Sequence, residues 1–538
     1  MGRRFGRKSG PGLAGKVSPF PGRREGGKGK AESLEDRWKV RGAAALVLLV
    51  SLILLSSHLD APFDRNHIGF TGAWYSLSAR NFRAYGPARL WGCLSIESGP
   101  PAVHPRLYLD HPPMVGLVLA GVFSLFGEGE LQARATGLAL SLLAAWFFFL
   151  YARRLLWGSP WWALFGVLLA VAAPVWSFYG TLVDPHGPGL LLAMGGSLWG
   201  ASRYEREGQV RDLVWTCSFV ALACLYDWAA VLIAGPLGLW FLLGGVRRGK
   251  RGALAVWGTW GILVSLLLLQ LYLAARAGGG RADLLGPLAK RSSFFGGSLH
   301  IHGKTLSLWA VLVQVAKWNW KGLPLPLTLL GWTGALLAGR DAFRKKAPPS
   351  ALLIWIPLAM GACISLFFLE AAFEHEYLQI YFAPGLGLGT AYLAGRISRL
   401  RPSMAGRTRL LAAAFLAFSL FWGFHRSRNR WAAQEPGLAR YKEAGAVVAA
   451  RVPPHKYIIS DTDFLPPLAY YARRRIYWDV RDPSLLPSSP SPEGLEPGGV
   501  ILKGGERSGF LLDWASRRGW KGPLPLAGGD LDLYTPGK

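Results

Sequence analysis

The sequence predicts an all-α polytopic membrane protein with about 11 to 13 transmembrane helices and a small C-terminal α/β domain outside the membrane. Of the 538 residues, 51% are hydrophobic and only 17% are charged. A helix needs about 20 apolar residues to cross a bilayer, and the apolar residues here are gathered into about a dozen runs. One soluble core cannot bury so many runs, which excludes a large soluble helical protein. The runs cover residues 43–57, 114–126, 138–152, 161–179, 189–202, 213–225, 228–243, 254–274, 323–338, 351–369, 378–395 and 410–424.

The distribution of charge predicts the orientation of the helices. The net charge is +28, and the excess lies in the first 41 residues and in short loops between apolar runs. Lys and Arg in short loops mark the cytoplasmic side, so this charge does not indicate nucleic-acid binding. Residues 1–41 are basic and rich in Gly and Pro, which is typical of a disordered cytoplasmic tail, and they lack the features of a cleaved signal peptide. The basic loops are 203–211, 247–251, 340–346 and 396–407.

This orientation divides the chain into three parts. After the tail, residues 42–428 form a transmembrane domain with two polar outer loops, 59–111 and 276–308. Residues 429–538 have shorter apolar runs and more Pro and charge, and they predict a small extracytoplasmic α/β domain. Its predicted strands are 456–460, 476–480, 499–503 and 531–535, and its predicted helices are 466–474 and 510–519.

One stretch conflicts with the charge rule. Two apolar runs, broken by GEGE at 127–130, separate the outer loop 59–111 from Arg153 and Arg154. Two crossings would place both arginines on the outer side. Either these arginines violate the bias, or one segment is re-entrant, or the stretch contains more crossings.

The first outer loop holds candidate catalytic residues. Asp60, Asp64 and His67 precede residues 70–85, whose aromatic and aliphatic residues follow helical spacing. The stretch suits an ordinary amphipathic helix at the membrane interface. Carboxylates and an imidazole at its start can also accept a proton from an incoming hydroxyl group.

Acid–histidine pairs stand at the entrances of two later helices. Asp110 and His111 precede Pro112, and Asp184 and His186 flank Pro185. Each acid can be a simple N-cap. Asp110 and His111 also offer a carboxylate and an imidazole at the membrane surface, a set that suits a metal or a substrate phosphate. The four cysteines show no metal-binding or disulfide spacing.

Further candidates are charged groups close to the apolar runs. Asp227 joins two apolar runs without a polar spacer, which is costly unless the acid is functional, pairs with a cation or sits in a tight turn. Cations on the outer side run against the charge bias and suit a lipid phosphate, although attraction to anionic headgroups explains them equally well. The remaining candidate substrate-binding residues are Arg80, Lys290, Arg291, His375 and Tyr377.

Five stretches together resemble membrane glycosyltransferases of the GT-C fold, and especially the protein O-mannosyltransferase family and the aminoarabinose transferases of lipid A. The stretches are WYSLSARNFRAYG (74–86), DHPPMVGLVLAGVFSLFGEGELQARATGLALSLL (110–143), LVDPHGPGLLLA (182–193), LACLYDWAAVLIAG (222–235) and EHEYLQIYFAPGLGLGTAYLAG (374–395). The resemblance implies transfer of a sugar from a polyprenyl phosphate with inversion at the anomeric carbon.

The resemblance also implies a base that this chain lacks at the usual place. Family members commonly carry Asp-Glu four residues before the Tyr matched here by Tyr75, whereas this chain has Thr71-Gly72. We therefore expect Asp64 to replace the usual base, with Asp60, His67 and Asp110 as further candidates.

The resemblance implies a set of partners and a location. The partners are a polyprenyl-phosphate sugar donor, membrane lipid and an acceptor that is a protein, a lipid or a glycan, with no nucleic acid. No cofactor is certain, and a divalent metal ion remains open. We expect a multi-pass protein of the plasma or inner membrane with its site on the extracytoplasmic side. A transporter or lipid flippase, or an inactive member of the family, is the alternative. Because polar residues gather at helix ends on one side, the sequence favours an enzyme.

Overall fold

The computed structural model describes residues 34–99, 105–244, 246, 249–277, 299–301, 304–434, 437, 439–480, 482, 484, 486, 495–503 and 509–536. Most of the predicted N-terminal tail, together with Lys290 and Arg291, lies outside these residues. The described part of the chain is a helical bundle with a small mixed α/β region at its C-terminal end.

The helices follow the apolar runs. The α-helices are α1 (Leu34–Leu55), α2 (His67–Tyr85), α3 (Met114–Phe126), α4 (Glu130–Leu155), α5 (Pro160–Ala172), α6 (Pro174–Tyr179), α7 (Pro188–Glu207), α8 (Val210–Tyr226), α9 (Val231–Leu243), α10 (Gly249–Ala277), α11 (Leu308–Gly322), α12 (Leu325–Phe343), α13 (Trp355–Phe367), α14 (Leu369–Glu374), α15 (Phe382–Leu400), α16 (Ala405–Gln434), α17 (Arg440–Arg451), α18 (Pro466–Ala472) and α19 (Gly509–Arg517). Short 3₁₀ turns span Trp228–Ala230, Pro349–Ile354, Glu376–Tyr381, Pro402–Met404 and Ala527–Gly529. The strands are β1 (Leu94–Ser95), β2 (Leu107–Tyr108), β3 (Leu299–Ile301), β4 (Lys304–Leu306), β5 (Lys456–Ser460), β6 (Arg475–Tyr477), β7 (Glu496–Lys503), β8 (Trp520–Leu526) and β9 (Leu531–Pro536).

Several helices are suited to a bilayer. Among the described residues, 5 helices are long and apolar enough to span a membrane, and a sixth span results if α11 and α12, bent by 96°, count as one. Shorter apolar helices lie at Met114–Phe126, Pro160–Ala172 and Trp228–Leu243. The prediction of a polytopic helical membrane protein is thereby confirmed.

Helix α3 resolves the conflict in the charge pattern. Its 13 residues make a helix of about 20 Å, too short for a bilayer core of about 30 Å. Its first end lies at His111, which contacts Asp227, and its last end leads to Glu128 and Glu130, which contact the C-terminal region. The core that contains α3 also contains Tyr226 and Tyr470, so both ends lie at one face of the bundle. Among the described residues between the first outer loop and Arg153, α4 is the one helix long and apolar enough to span a membrane.

The opposite end of the bundle collects ion pairs between helices. Arg154 contacts Glu207 at 3.0 Å, and Arg396 contacts Asp341 at 2.5 Å. This end also holds the basic loops that predict a cytoplasmic face. The bundle therefore has two chemically different ends.

The C-terminal region forms a five-stranded sheet in the order β6-β5-β7-β9-β8. Strand β5 pairs in parallel with β6 and β7, whereas β9 is antiparallel to β7 and β8. Helices α17 and α18 cover one face, and α19 covers the other. Strand β5 has the predicted bounds, and β6 is shorter than predicted.

Tyr471 joins this region to the first outer loop. Its hydroxyl accepts a hydrogen bond from the Phe63 N–H at 2.8 Å and donates one to Glu130 at 2.9 Å. Lys442 contacts the same Glu130 carboxylate at 2.9 Å. The C-terminal region thus holds the loop that carries Asp64.

Candidate active site

Asp227 is the centre of a polar cluster at the face of the bundle that carries the C-terminal region. It lies between α8 and the turn Trp228–Ala230, and its Oδ1 accepts the Ala229 N–H at 2.7 Å, so it is an N-cap. Its Oδ2 lies 3.1 Å from His111 Nδ1 and 3.3 Å from His186 Nδ1. The acid is only 2% exposed, and two imidazoles offset the cost of burying it. Asp227 therefore caps the turn that follows it and also pairs with two imidazoles.

The three side chains fit a divalent metal ion. The candidate ligand atoms of His111, His186 and Asp227 all lie within 4.8 Å of one another. Two imidazole nitrogens and one carboxylate oxygen are a common ligand set for zinc and similar ions, and three protein ligands leave a coordination position open. The cluster is therefore the candidate metal centre of the described residues.

Asp184 borders this cluster. Its carboxylate accepts the His186 N–H at 2.9 Å and the Tyr377 hydroxyl at 3.4 Å. Burial raises the pKa of Asp184, although His186 opposes the shift. Burial also acts to raise the pKa of Asp227, but the charges and hydrogen bonds of His186 and His111 prevail and hold that pKa at about 2. The two carboxyl groups therefore differ in proton affinity.

Aromatic rings and imidazoles extend the cluster towards α2. The His67 ring lies 5.2 Å from that of His375 and 5.7 Å from that of Tyr377. Burial lowers the pKa of His67, and the positive charge of Arg430 adds to this effect. A neutral imidazole at this position can accept a proton.

Asp64 and Asp60 lie in different surroundings. Asp64 is 6% exposed, and its Oδ1 has no hydrogen-bond partner among the described residues. Burial raises its pKa, while the Arg65 N–H and the charge of Arg440 act against the rise. Asp60 is exposed. Of the two, Asp64 is the carboxylate held in a defined environment, beside the C-terminal region.

The other predicted residues have mixed placements. Asp110 contributes its carbonyl, which accepts the Trp228 Nε1–H at 2.8 Å. Arg80 contacts Glu128 at 2.5 Å, donates to the Tyr470 carbonyl at 3.0 Å and lies over the Tyr470 ring. These contacts make Arg80 an anchor between α2 and the C-terminal region, and its role in phosphate binding stays a prediction.

A basic cavity missed by the sequence reasoning adjoins the cluster. Its volume is about 400 Å³, and Lys321, Arg426 and Arg430 are its cations. Arg430 pairs with Glu376 and donates to the Tyr179 hydroxyl at 2.8 Å. The Tyr179 ring lies 5.6 Å from that of Tyr377, which links the cavity to Asp184. The one sequence signal was the run HRSRNR at 425–430, close to the outer end of an apolar run.

The chain is similar to one protein family and to several solved structures. Residues 110–273 match the family model described as dolichyl-phosphate-mannose-protein mannosyltransferase. ArnT from Cupriavidus metallidurans, solved with undecaprenyl phosphate, is similar in fold, with a TM-score of 0.61 and 15% identity over 93% of this chain and 98% of that chain. The oligosaccharyltransferase AglB from Archaeoglobus fulgidus, solved with an inhibitory peptide and a dolichol-phosphate, gives a TM-score of 0.56 and 12% identity over 88% of this chain and 70% of that chain. No curated protein sequence matches the chain.

The fold and the family match define the class: the chain is a membrane protein of the GT-C glycosyltransferase fold. Within that class it resembles the protein O-mannosyltransferases and ArnT, as the sequence predicts. The match over residues 110–273 and the fold shared with solved glycosyltransferases both agree with the glycosyltransferase prediction, and the transporter or flippase alternative receives no support from them.

Proposed function

We propose that the chain transfers a sugar from a polyprenyl-phosphate carrier to an acceptor on a protein, lipid or glycan at the outer face of the plasma or inner membrane. The observation that carries this proposal is the convergence of His111, Asp184, His186 and Asp227 at one end of the bundle. These residues come from three separate segments of the chain, and their cluster adjoins a basic cavity. A lipid-bound donor cannot leave the bilayer, which favours a site where helices emerge.

The basic cavity is the best candidate for the donor phosphate. Its cations lie near the ends of α11 and α16, and its volume of about 400 Å³ is enough for a small headgroup. Arg forks match phosphate oxygens, and Lys adds a point charge. Lys321 and Arg426 lie over the rings of Trp318 and Trp422, contacts that hold the cations in place while leaving their N–H groups available.

The proposed transfer requires one proton acceptor and produces one anionic leaving group. The acceptor oxygen forms a bond to the anomeric carbon, the bond from that carbon to the phosphate oxygen breaks, and the lipid phosphate leaves with the bonding electrons. The acceptor proton passes to a carboxylate or imidazole. Cations at the leaving phosphate stabilise the charge that develops on it. A divalent ion held by His111, His186 and Asp227 would supply further positive charge at the reacting groups.

Two carboxylates compete for the role of base. Asp64 is the sequence-based candidate, and its raised pKa favours proton acceptance. Asp184 has a raised pKa as well and lies beside the histidines and Tyr377. Burial raises the pKa of Tyr75, the residue that the family resemblance places one turn after the usual base, and the negative charges of Asp184 and Asp227 add to the rise. This proximity supports Asp184 as the rival of Asp64.

The direct test is transfer by the purified protein from radiolabelled polyprenyl-phosphate sugars to membrane acceptors. We expect that Asp64→Asn or Asp184→Asn lowers turnover about a thousandfold if that residue is the base. The exposed Asp60 provides the matched control, and Asp60→Asn should keep wild-type turnover. An absence of transfer with every donor would contradict the proposed function.

The cavity is tested by binding of a polyprenyl phosphate against the matching polyprenol. Lys321→Gln and Arg426→Gln should each weaken phosphate binding about tenfold. Lys317→Gln and Arg428→Gln, which alter exposed cations on the same two helices outside the cavity lining, should leave it unchanged. Equal losses in all four variants would mean that general surface charge, and not the cavity, attracts the donor.

A further inference from the structure

A second basic cavity lies at the opposite end of the bundle. Its volume is about 520 Å³, and it is formed where α4 and α7 end. The guanidinium groups of four arginines line it together with two tryptophans. These residues are Arg153, Arg154, Arg203, Arg206, Trp157 and Trp199. The cavity is separate from the candidate active site, so it requires an explanation of its own.

Ordinary causes account for part of this charge. Basic residues at helix C-termini complement the helix dipole, and Lys and Arg are common at cytoplasmic helix ends. Glu207 contacts Arg154 at 3.0 Å and Arg203 at 3.1 Å, and Asp212 contacts Arg203 at 2.9 Å. These pairs anchor two of the four guanidinium groups to the walls of the cavity.

The remaining donors favour an anion. Arg206 is exposed and forms no ion pair with the described residues. Arg154 Nη1 is buried and has no hydrogen-bond partner in the described part of the chain, although Nη2 of the same group contacts Glu207. A buried donor without an acceptor costs about 1–3 kcal/mol. A phosphate oxygen in the cavity would satisfy Arg154 Nη1 and would offset the mutual repulsion of the arginines.

The surroundings favour a lipid over a free anion. The Trp199 ring lies 6.3 Å from that of Trp215, which is 49% exposed on α8 beside Val214, which is 57% exposed. Trp215 is therefore an exposed apolar side chain next to Trp199, which lines the cavity. Tryptophan is enriched at the level of lipid headgroups. A headgroup in the cavity would therefore place its acyl chains against exposed apolar side chains.

We propose that this cavity binds the phosphate headgroup of an anionic phospholipid from the leaflet opposite the candidate active site. The arginines bind the phosphate, Trp157 and Trp199 border the glycerol region, and Val214 and Trp215 contact the acyl chains. Basic pockets between transmembrane helices are a recurring site for anionic lipids. The proposal does not depend on the transferase activity.

The test measures lipid binding to the full-length protein in detergent by native mass spectrometry and by the lipid-induced rise in Tm. We expect phosphatidylglycerol to bind about tenfold more tightly than phosphatidylcholine, because its headgroup carries a net negative charge. Arg206→Gln should remove most of this preference. Arg154→Gln should also reduce it, because it deletes the buried Nη1 donor, while Glu207 keeps Arg203 as its ion-pair partner.

The controls separate the cavity from general charge. Arg344→Gln removes an exposed arginine at the same end of the bundle and should leave the lipid preference unchanged. Equal affinity for both lipids, or an unchanged preference in both cavity variants, would overturn the proposal. A Tm rise with inorganic phosphate equal to that with phosphatidylglycerol would also overturn it, because it would assign the site to a soluble anion.

Discussion

Asp64 is a buried carboxylate whose ionisation opposes folding. Burial raises its pKa, so this group favours the folded state at low pH, and that contribution is lost as the pH rises through the folded-state pKa. Asp64→Asn removes the charge and keeps the shape. We expect Asp64→Asn to raise Tm by roughly 1–2 °C at neutral pH, and the difference from wild type to shrink near pH 4, as measured by thermal unfolding in detergent.

The exposed Asp60 is the control for this prediction. Asp60→Asn should shift Tm very little at either pH, because exposed side chains contribute little to stability. A lower Tm for Asp64→Asn at neutral pH would mean that Asp64 forms a stabilising interaction as an anion. That result would argue against Asp64 as a catalytic base with a raised pKa.

Arg134 on α4 is a buried cation, and its hydrogen-bond acceptors are backbone carbonyls rather than a carboxylate. It is 1% exposed and donates to the carbonyls of Ala61, Leu59 (3.5 Å) and Pro62 (3.3 Å). Arg134→Met would leave these acceptors without their donor. We expect a loss of about 2 kcal/mol, measured as a lower Tm, and a smaller loss for Arg134→Lys.

Arg211→Met provides the comparison for Arg134. Arg211 is 63% exposed, and its contact with Glu207 is long at 3.8 Å. Exposed ion pairs contribute about 0–1 kcal/mol, so Tm should scarcely change. Similar Tm values for Arg134→Met and Arg211→Met would show that the carbonyls of the outer loop find other donors.

Individual site residues could be proposed from the sequence, but their partners could not. The positions of Asp227, His111 and His186 at apolar boundaries marked them as candidates. Their contact depends on tertiary structure, because His111 and Asp227 are 116 positions apart. The partner of Arg80 could not be predicted either, because Glu128 follows it by 48 positions and lies between α3 and α4.

At the scale of elements, Tyr471 couples α18 to the first outer loop. Tyr471→Phe deletes the hydroxyl that accepts the Phe63 N–H and donates to Glu130. A loss of about 1 kcal/mol corresponds to about fivefold faster opening of the loop. We expect faster hydrogen exchange in peptides that cover residues 59–66, with the rest of α18 unchanged.

The neighbouring tyrosine serves as the matched control. The Tyr470 hydroxyl interacts with Glu128, and its ring packs against Phe63 at 5.0 Å. Tyr470→Phe keeps the ring and should leave exchange of residues 59–66 close to wild type. If Tyr471→Phe had no effect on the loop, the C-terminal region would not position Asp64.

Helices and strands were predicted correctly where the side-chain pattern was strong, and they were missed or misjudged where sheet position or helix length was decisive. The run KYIIS at 456–460 is short and apolar, with aromatic and β-branched residues in succession, and it predicts β5 with its observed bounds. Strand β8 was missed because Pro523 and Pro525 weaken the strand pattern, and it lies at the edge of the sheet, where proline is tolerated. Helix α3 has an apolar sequence typical of a span, and its length of 13 residues decides against crossing.

At the scale of the whole molecule, the two ends of the bundle carry different kinds of ionisable groups. The end with the C-terminal region holds carboxylates, imidazoles and the cavity of Lys321, Arg426 and Arg430. The other end holds inter-helix ion pairs and the cavity of four arginines. An asymmetry of this kind follows from a bilayer, because ionisable groups are stable only where helices surface.

This division predicts the topology that single-cysteine labelling would show. In a variant without the native cysteines, a reagent that cannot cross the membrane should label Arg106→Cys, Leu131→Cys and Arg473→Cys in intact cells. Arg106 and Leu131 are exposed positions beyond the two ends of α3, and Arg473 is exposed in the C-terminal region. Arg211→Cys and Lys345→Cys, exposed at the other end, should react only after permeabilisation, because an extracytoplasmic site requires the basic loops to face the cytoplasm.

The pair Arg106→Cys and Leu131→Cys carries the decisive information about α3. If α3 crossed the bilayer, these two positions would react from opposite sides. Labelling of both from outside requires that α4 alone crosses between the first outer loop and Arg153, and it keeps His111, Asp184 and Asp227 in the compartment of the C-terminal region. Labelling of Arg473→Cys only after permeabilisation would instead place this cluster in the cytoplasm, and an extracytoplasmic transfer reaction would then be impossible.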